Sequence, residues 1–198
     1  MENLSIQCKD MLSCAFSPTQ GEQYLITLVG EGDWCVILWQ WDAMKMLAKI
    51  DLNIYSVHEE IPFQISLNHI ITDLVCVVTG PNMYKYLKTE DNMRSFKEVH
   101  SQLRPHGRDD MSSIYTCHCW AIDKVQLIVA SATGDIFVCA MGGDFLLCIP
   151  DSPLGHSIYS VVPHNRGLIF GGKDGQIWRY ESCEEETVLY NPQPLIRS

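Results

Sequence analysis

No stretch of this 198-residue sequence approaches the run of about 18 apolar residues that a membrane-crossing helix needs. Its start, Met1-Glu2-Asn3-Leu4, lacks the basic segment followed by an apolar one that marks a secretory signal. An intracellular chain with no membrane partner is therefore expected. Basic residues are scarce too: 14 Lys and Arg against 24 Asp and Glu leave a formal charge of −10. Phosphate backbones are held mainly by cationic side chains that release counterions, so nucleic acid is not an expected partner. The nine cysteines, Cys8, Cys14, Cys35, Cys76, Cys117, Cys119, Cys139, Cys148 and Cys183, are odd in number and form no compact framework. That usage fits a reducing compartment.

Catalytic and metal-binding patterns are missing as well. His58-Glu59-Glu60 lacks the second histidine of a zinc-protease helix, and Pro62 follows it. Gly171-Gly172-Lys173-Asp174-Gly175 has neither the spacing nor the Lys-Ser or Lys-Thr end of a phosphate loop, and reads as a hairpin turn. No Gly-x-Ser-x-Gly elbow occurs. Cys117-His118-Cys119, with His100 and His106 upstream, is the densest set of metal-ligand types, yet it contains no C-x-x-C pair. Alternation along a strand would put Cys117 and Cys119 on one face and His118 on the other, so these read as core cysteines. Asp109-Asp110 and Glu184-Glu185-Glu186 read as solvated acidic stretches. No catalytic residue, cofactor or metal is expected, and the chain is not expected to be an enzyme.

What the sequence does have is repetition. At 46% hydrophobic and 19% charged residues it has the composition of a folding globular chain. Four segments share a plan of four short strands with Gly, Pro, Asn or Asp at the turns. In the first, Leu12-Ser13-Cys14-Ala15-Phe16 leads to Tyr24-Leu25-Ile26-Thr27-Leu28-Val29, then across a glycine-rich break to Trp34–Trp41 and on to Met44–Ile50. The others begin near Phe63, Thr116 and Ile158, a spacing of roughly 40 to 50 residues that matches four-stranded propeller blades. The second strand of each is nearly all apolar, as in a strand buried on both faces, and the third alternates and ends in aromatic residues. No segment carries an amphipathic helical stripe capped at both ends. A sandwich or barrel could also use such strands, but the fourfold recurrence favours an all-β propeller of about four four-stranded blades. The expected blades are residues 12–50, 62–100, 115–149 and 158–190 of one propeller segment spanning 1–198, with a polar insertion loop at 100–113.

Phe16-Ser17-Pro18, Tyr24-Leu25-Ile26-Thr27, Asp33-Trp34-Cys35-Val36-Ile37-Leu38-Trp39-Gln40-Trp41 and Lys45-Met46-Leu47-Ala48-Lys49-Ile50 form a progression that resembles a blade of the WD-repeat cilia- and flagella-associated proteins. The similarity is to the group containing proteins 57, 43 and 44. His118-Cys119-Trp120, Leu127-Ile128-Val129 and Thr133-Gly134-Asp135-Ile136-Phe137 resemble a later blade of that group. The usual Gly-His and Trp-Asp signatures are degenerate, Trp41-Asp42 being the one literal Trp-Asp pair. The resemblance implies a scaffold in the axoneme of motile cilia or flagella, of the class that tethers or regulates dynein arms within the cytoskeleton. Its partners would be other proteins. A general intracellular WD-repeat adaptor in the cytoplasm is the alternative, and a ligand-binding or catalytic propeller a third. Four blades fall short of the number common in this class, so the chain reads as a truncated product or one that needs a second propeller half, or a dimer, to close. Trp39, Trp41, Trp120 and Trp178 are expected to pack, whereas Trp34, after the Gly30-Glu31-Gly32-Asp33 turn, is expected to stand at a blade rim and anchor a partner.

Overall fold

The computed structural model describes residues 10–17, 21, 23–52, 64–68, 74–81, 83–99, 103, 114–121, 126–149, 157–165, 167–182 and 190–196. They form sixteen strands in four sheets, each a four-stranded meander with its strands in chain order. The first sheet comprises β1 (Met11–Phe16), β2 (Tyr24–Val29), β3 (Cys35–Gln40) and β4 (Lys45–Asp51). The second has β5 (Gln64–Leu67), β6 (Val75–Gly80), β7 (Met83–Glu90) and β8 (Ser95–Val99). The third has β9 (Tyr115–Ala121), β10 (Gln126–Ser131), β11 (Ile136–Ala140) and β12 (Phe145–Ile149). The fourth has β13 (Ile158–His164), β14 (Gly167–Gly172), β15 (Ile177–Ser182) and β16 (Tyr190–Ile196). No α-helix occurs among the described residues.

By packing, the chain divides into two compact units, one of residues 1–78 with 85–99, the other of 79–84 with 100–198. In the first unit Ile26, Leu28, Val36, Ile37 and Leu38 are fully buried on β2 and β3, and Val77, Val78 and Leu87 on β6 and β7. β1 meets β5 through the Ile65 amide, which donates to Ser13 Oγ at 3.3 Å. In the second unit Leu127, Ile128, Val129 and Val138 are fully buried with Ile158, Leu168 and Phe170. Phe170 stacks edge-on to Tyr180 at 5.0 Å, and Tyr115 edge-on to Phe137 at 5.7 Å. Burying each such side chain contributes roughly 1.5–3 kcal/mol, which is how the strand-rich sequence offsets the entropy of ordering its many short turns.

The turns follow their chemistry. Between β10 and β11, Gly134 takes a φ of 90°, a conformation that favours glycine. Around it the Asp135 amide donates to Ser131 Oγ at 3.0 Å, and Thr133 Oγ1 donates to Asp135 Oδ2 at 2.8 Å. Gly175 plays the same part (φ 71°) in the 3-10 turn Lys173–Gly175, where the sequence predicts a hairpin turn.

Three strand expectations shift. The second strands are largely buried as expected, but β3 and β11 are buried over most of their length too, so both of their faces are covered rather than one. The last strand of the fourth sheet, Tyr190–Ile196, runs past residue 190 and holds Pro192 and Pro194. Proline lacks an N–H, and β16 tolerates it as the outermost strand of its sheet. Trp34 and Trp41 lie just outside β3 rather than within it. Of the insertion loop at 100–113, only Leu103 is among the described residues, and it is buried.

Candidate interaction surface

β3 is flanked by tryptophans in different settings. Before it, Trp34 is half-buried with a left-handed φ of 28°; its amide donates to the Gly30 carbonyl at 3.0 Å and its carbonyl accepts from the Leu52 amide at 2.8 Å. Its backbone is fixed by the β2–β3 turn. After β3, Trp41 is 48% exposed, so the packed position expected for it is not what the structure shows. The physical reason is the turn: the Met44 amide donates to the Trp41 carbonyl at 3.1 Å, Met44 takes a left-handed φ of 48°, and the tight hairpin leaves both side chains at its tip. Met44 is 91% exposed. Phe16, at the end of β1 and half exposed, stacks edge-on to Trp41 with centroids 5.9 Å apart. Trp39, two residues earlier and within the strand, does pack: its Nε1 donates to Thr27 Oγ1 at 2.9 Å across the β2–β3 pair. Trp120 is buried and Trp178 half-buried, as expected.

The first unit also holds an open cleft of about 690 Å³ beside the β3–β4 end of the first sheet. Cross-strand register sets Tyr24, Gln40 and Lys45 in one row across β2, β3 and β4. Facing them is the β7–β8 turn, where Asp91, Asn92 and Met93 have φ values of 51°, 55° and 65°, a left-handed turn closed by the Arg94 amide donating to the Glu90 carbonyl at 3.1 Å.

Cys117-His118-Cys119 lies within β9, and all three residues are buried. Cys117 and Cys119 belong to a core cluster with Ala121, Ile128 and Ala130. Burial pushes the Cys117 and Cys139 thiols up to about 12 and raises those of Cys76 and Cys119 as well, which leaves these groups poor nucleophiles. His118 Nδ1 shares a hydrogen bond with Thr79 Oγ1 at 2.8 Å. Burial pushes the imidazole down to about 3, so it is neutral at physiological pH. No group of three or more His, Cys, Asp or Glu among the described residues is placed to hold a metal ion. His58-Glu59-Glu60, Asp109-Asp110, His100, His106 and Glu184-Glu185-Glu186 lie outside the described residues.

Sequence reasoning missed Phe16, Met44 and the cleft. A Trp-Asp-Ala-Met turn between two strands does signal an exposed tip, but only the pairing register shows that Phe16 reaches it. No local pattern marks the cleft, whose walls come from residues about 45 positions apart.

No family model matches the chain. Cilia- and flagella-associated protein 57 of Mus musculus is 28% identical to it over 142 residues, which is 72% of this chain and 10% of that protein. The match thus spans about a tenth of the length of that curated relative. Two solved structures share its fold. The β-propeller domain of Cps50 (Swd1) from Myceliophteria thermophila has a TM-score of 0.67 at 12% identity, over 92% of this chain and 57% of that one. Raptor from Chaetomium thermophilum has a TM-score of 0.64 at 13% identity, over 93% and 17%. At such identities these two establish the fold alone, which is that of a β-propeller. The match to the mouse protein bears out the resemblance read from the first-blade residues. Fold and relative together support a WD-repeat interaction module.

Proposed function

We propose that this chain is a non-enzymatic propeller segment, continuous over residues 1–198, that serves as a scaffold in the axoneme of motile cilia or flagella, of the class that tethers or regulates dynein arms. The observation that carries the ciliary reading is the 28% identity over 142 residues to a cilia- and flagella-associated protein. Buried, neutral His118 and the raised thiol pKa values supply no activated nucleophile or general base among the described residues, which supports a binding role.

In this reading the mechanism is rigid presentation. A sheet whose core strands are fully buried holds its hairpin tips still, so an aromatic at a tip binds a partner protein without a large ordering cost. Trp41, braced by Phe16 and flanked by Met44, is the anchor at one end of β3. Trp34 is a second anchor at the other end, about 20 Å away at the rise of an extended strand, too far to share one small footprint. A partner edge or a further propeller half would complete the assembly. The test is imaging of the tagged protein in motile ciliated cells, wild type against Trp41→Ala. Ciliary enrichment that the substitution lowers supports the reading; a uniform cytoplasmic signal for both contradicts it and favours the general adaptor.

A further inference from the structure

The cleft of the first unit concentrates positive charge on a chain whose formal charge is −10. Lys45 and Arg94 both line it and both are exposed. Other cations of this unit are engaged: Lys85 with Glu98 at 2.6 Å, Lys49 with Asp51 at 3.2 Å and Lys97 with Glu90 at 3.5 Å. Lys45 and Arg94 have no carboxylate partner among the described residues. The acids nearest in sequence make hydrogen bonds of their own: Asp91 Oδ2 accepts from Ser95 Oγ at 3.0 Å and Asp42 Oδ1 from the Ala43 amide at 2.8 Å. Tyr24, Gln40 and Asn92 line the same cleft, as do Met46, Leu47 and Met93.

The turn that delivers Asn92, Met93 and Arg94 is itself a costly conformation. Left-handed backbone disfavours a residue with a side chain by roughly 1–2 kcal/mol, least for Asp and Asn, so Met93 carries most of the cost. Three in succession place the tip of the β7–β8 hairpin against the cleft. Strain of this kind tends to be kept where a site needs a particular geometry.

We infer that this cleft binds an acidic segment of a partner protein, with Lys45 and Arg94 taking successive Asp or Glu carboxylates. Tyr24, Gln40 and Asn92 satisfy the remaining polar groups, and the methionines cover the aliphatic stems. A protein segment fits better than a free phosphate. No helix N-terminus points into the cleft among the described residues, two cations on flexible stems suit separate carboxylates, and methionine packs the methylene groups that inorganic phosphate lacks. The inference stands whether or not the protein works in a cilium.

Fluorescence anisotropy of the full chain with a labelled Glu-rich peptide tests this, because a net charge of −10 works against nonspecific binding of such a peptide. The wild type should bind; Lys45→Glu should weaken binding about tenfold, and Lys45→Glu with Arg94→Glu should abolish it. Lys173→Glu changes the net charge as much as Lys45→Glu does but lies in the second unit, and should leave binding unchanged. Matching melting curves confirm that each variant folds. Failure of the wild type to bind, full binding by the double variant, or equal loss in Lys173→Glu would overturn the inference. Release of the peptide by millimolar inorganic phosphate at constant ionic strength would assign the cleft to a small oxyanion instead, and overturn it too.

Discussion

Thr79 Oγ1 and His118 Nδ1 lie 2.8 Å apart, joining the end of β6 to the middle of β9 inside the second unit, with neither residue more than 1% exposed. A buried imidazole held in this way orders the core, and Cys117 and Cys119 on either side of it pack among Ala121, Ile128 and Ala130.

The burial of His118 makes stability depend on pH. The folded pKa of about 3 lies below the ordinary 6.5, so the folded state binds fewer protons than the unfolded one between those values. His118 thus contributes fully above pH 6.5, and its contribution falls as the medium is acidified, by about 1.4 kcal/mol per pH unit within that window. Urea midpoints between pH 7 and 5, above most carboxylate titrations, should decline in the wild type and decline less in His118→Gln. Equal slopes in both would contradict the buried neutral imidazole.

Thr27 and Trp39 form the corresponding polar link in the first sheet, Nε1 donating to Oγ1 at 2.9 Å. Trp39→Phe and Thr27→Val should each cost about 1–2 kcal/mol: Thr27→Val removes the acceptor of Trp39 Nε1, and Trp39→Phe leaves Thr27 Oγ1 with its 3.5 Å bond to the Ile37 carbonyl alone. A double-mutant cycle should give a coupling near 1 kcal/mol. Additive losses would mean that the two side chains contribute through packing alone.

How much of this could be read in advance depended on whether a feature was local. Alternating apolar runs broken by Gly30-Glu31-Gly32-Asp33 or Thr133-Gly134 identify strands and turns, because a strand's period and a turn's φ requirements act over a few residues. Solvent contact did not follow so simply. Trp39 and Trp41 are two positions apart and would share a strand face, yet the strand ends at Gln40 and the turn carries Trp41 outward. The Thr79 to His118 bond spans 39 positions, and no local rule joins them. The cleft likewise exists only once the β7–β8 turn is set against the first sheet.

Tryptophans in these two settings should respond differently to truncation. Trp41→Ala removes a half-exposed ring and one edge-on contact to Phe16, worth about 0.5–1.5 kcal/mol. Trp120→Ala empties a buried site and should cost about 3–5 kcal/mol. Chemical denaturation of both variants measures the difference. A loss for Trp41→Ala as large as that for Trp120→Ala would show that Trp41 holds the fold rather than a partner.

Gly167 has no room for a side chain, since a Cβ there would run into the Tyr180 backbone carbonyl in the neighbouring strand β15. Gly167→Ala should therefore push β14 and β15 apart and cost about 1–3 kcal/mol or more, as overpacking does. Gly21→Ala, with nothing within 4 Å of the added carbon, meets only the penalty of its left-handed φ of 67°, about 1 kcal/mol. Thermal melts of the pair should show the larger drop for Gly167→Ala, and the reverse order would contradict the tight β14–β15 approach.

The measurement that bears most directly on the proposed axonemal role is biochemical fractionation of tagged protein from motile ciliated cells. If the protein is an axonemal scaffold, it remains with the detergent-extracted axoneme and leaves only when salt is raised. Complete release into the detergent-soluble fraction at low salt would contradict that role.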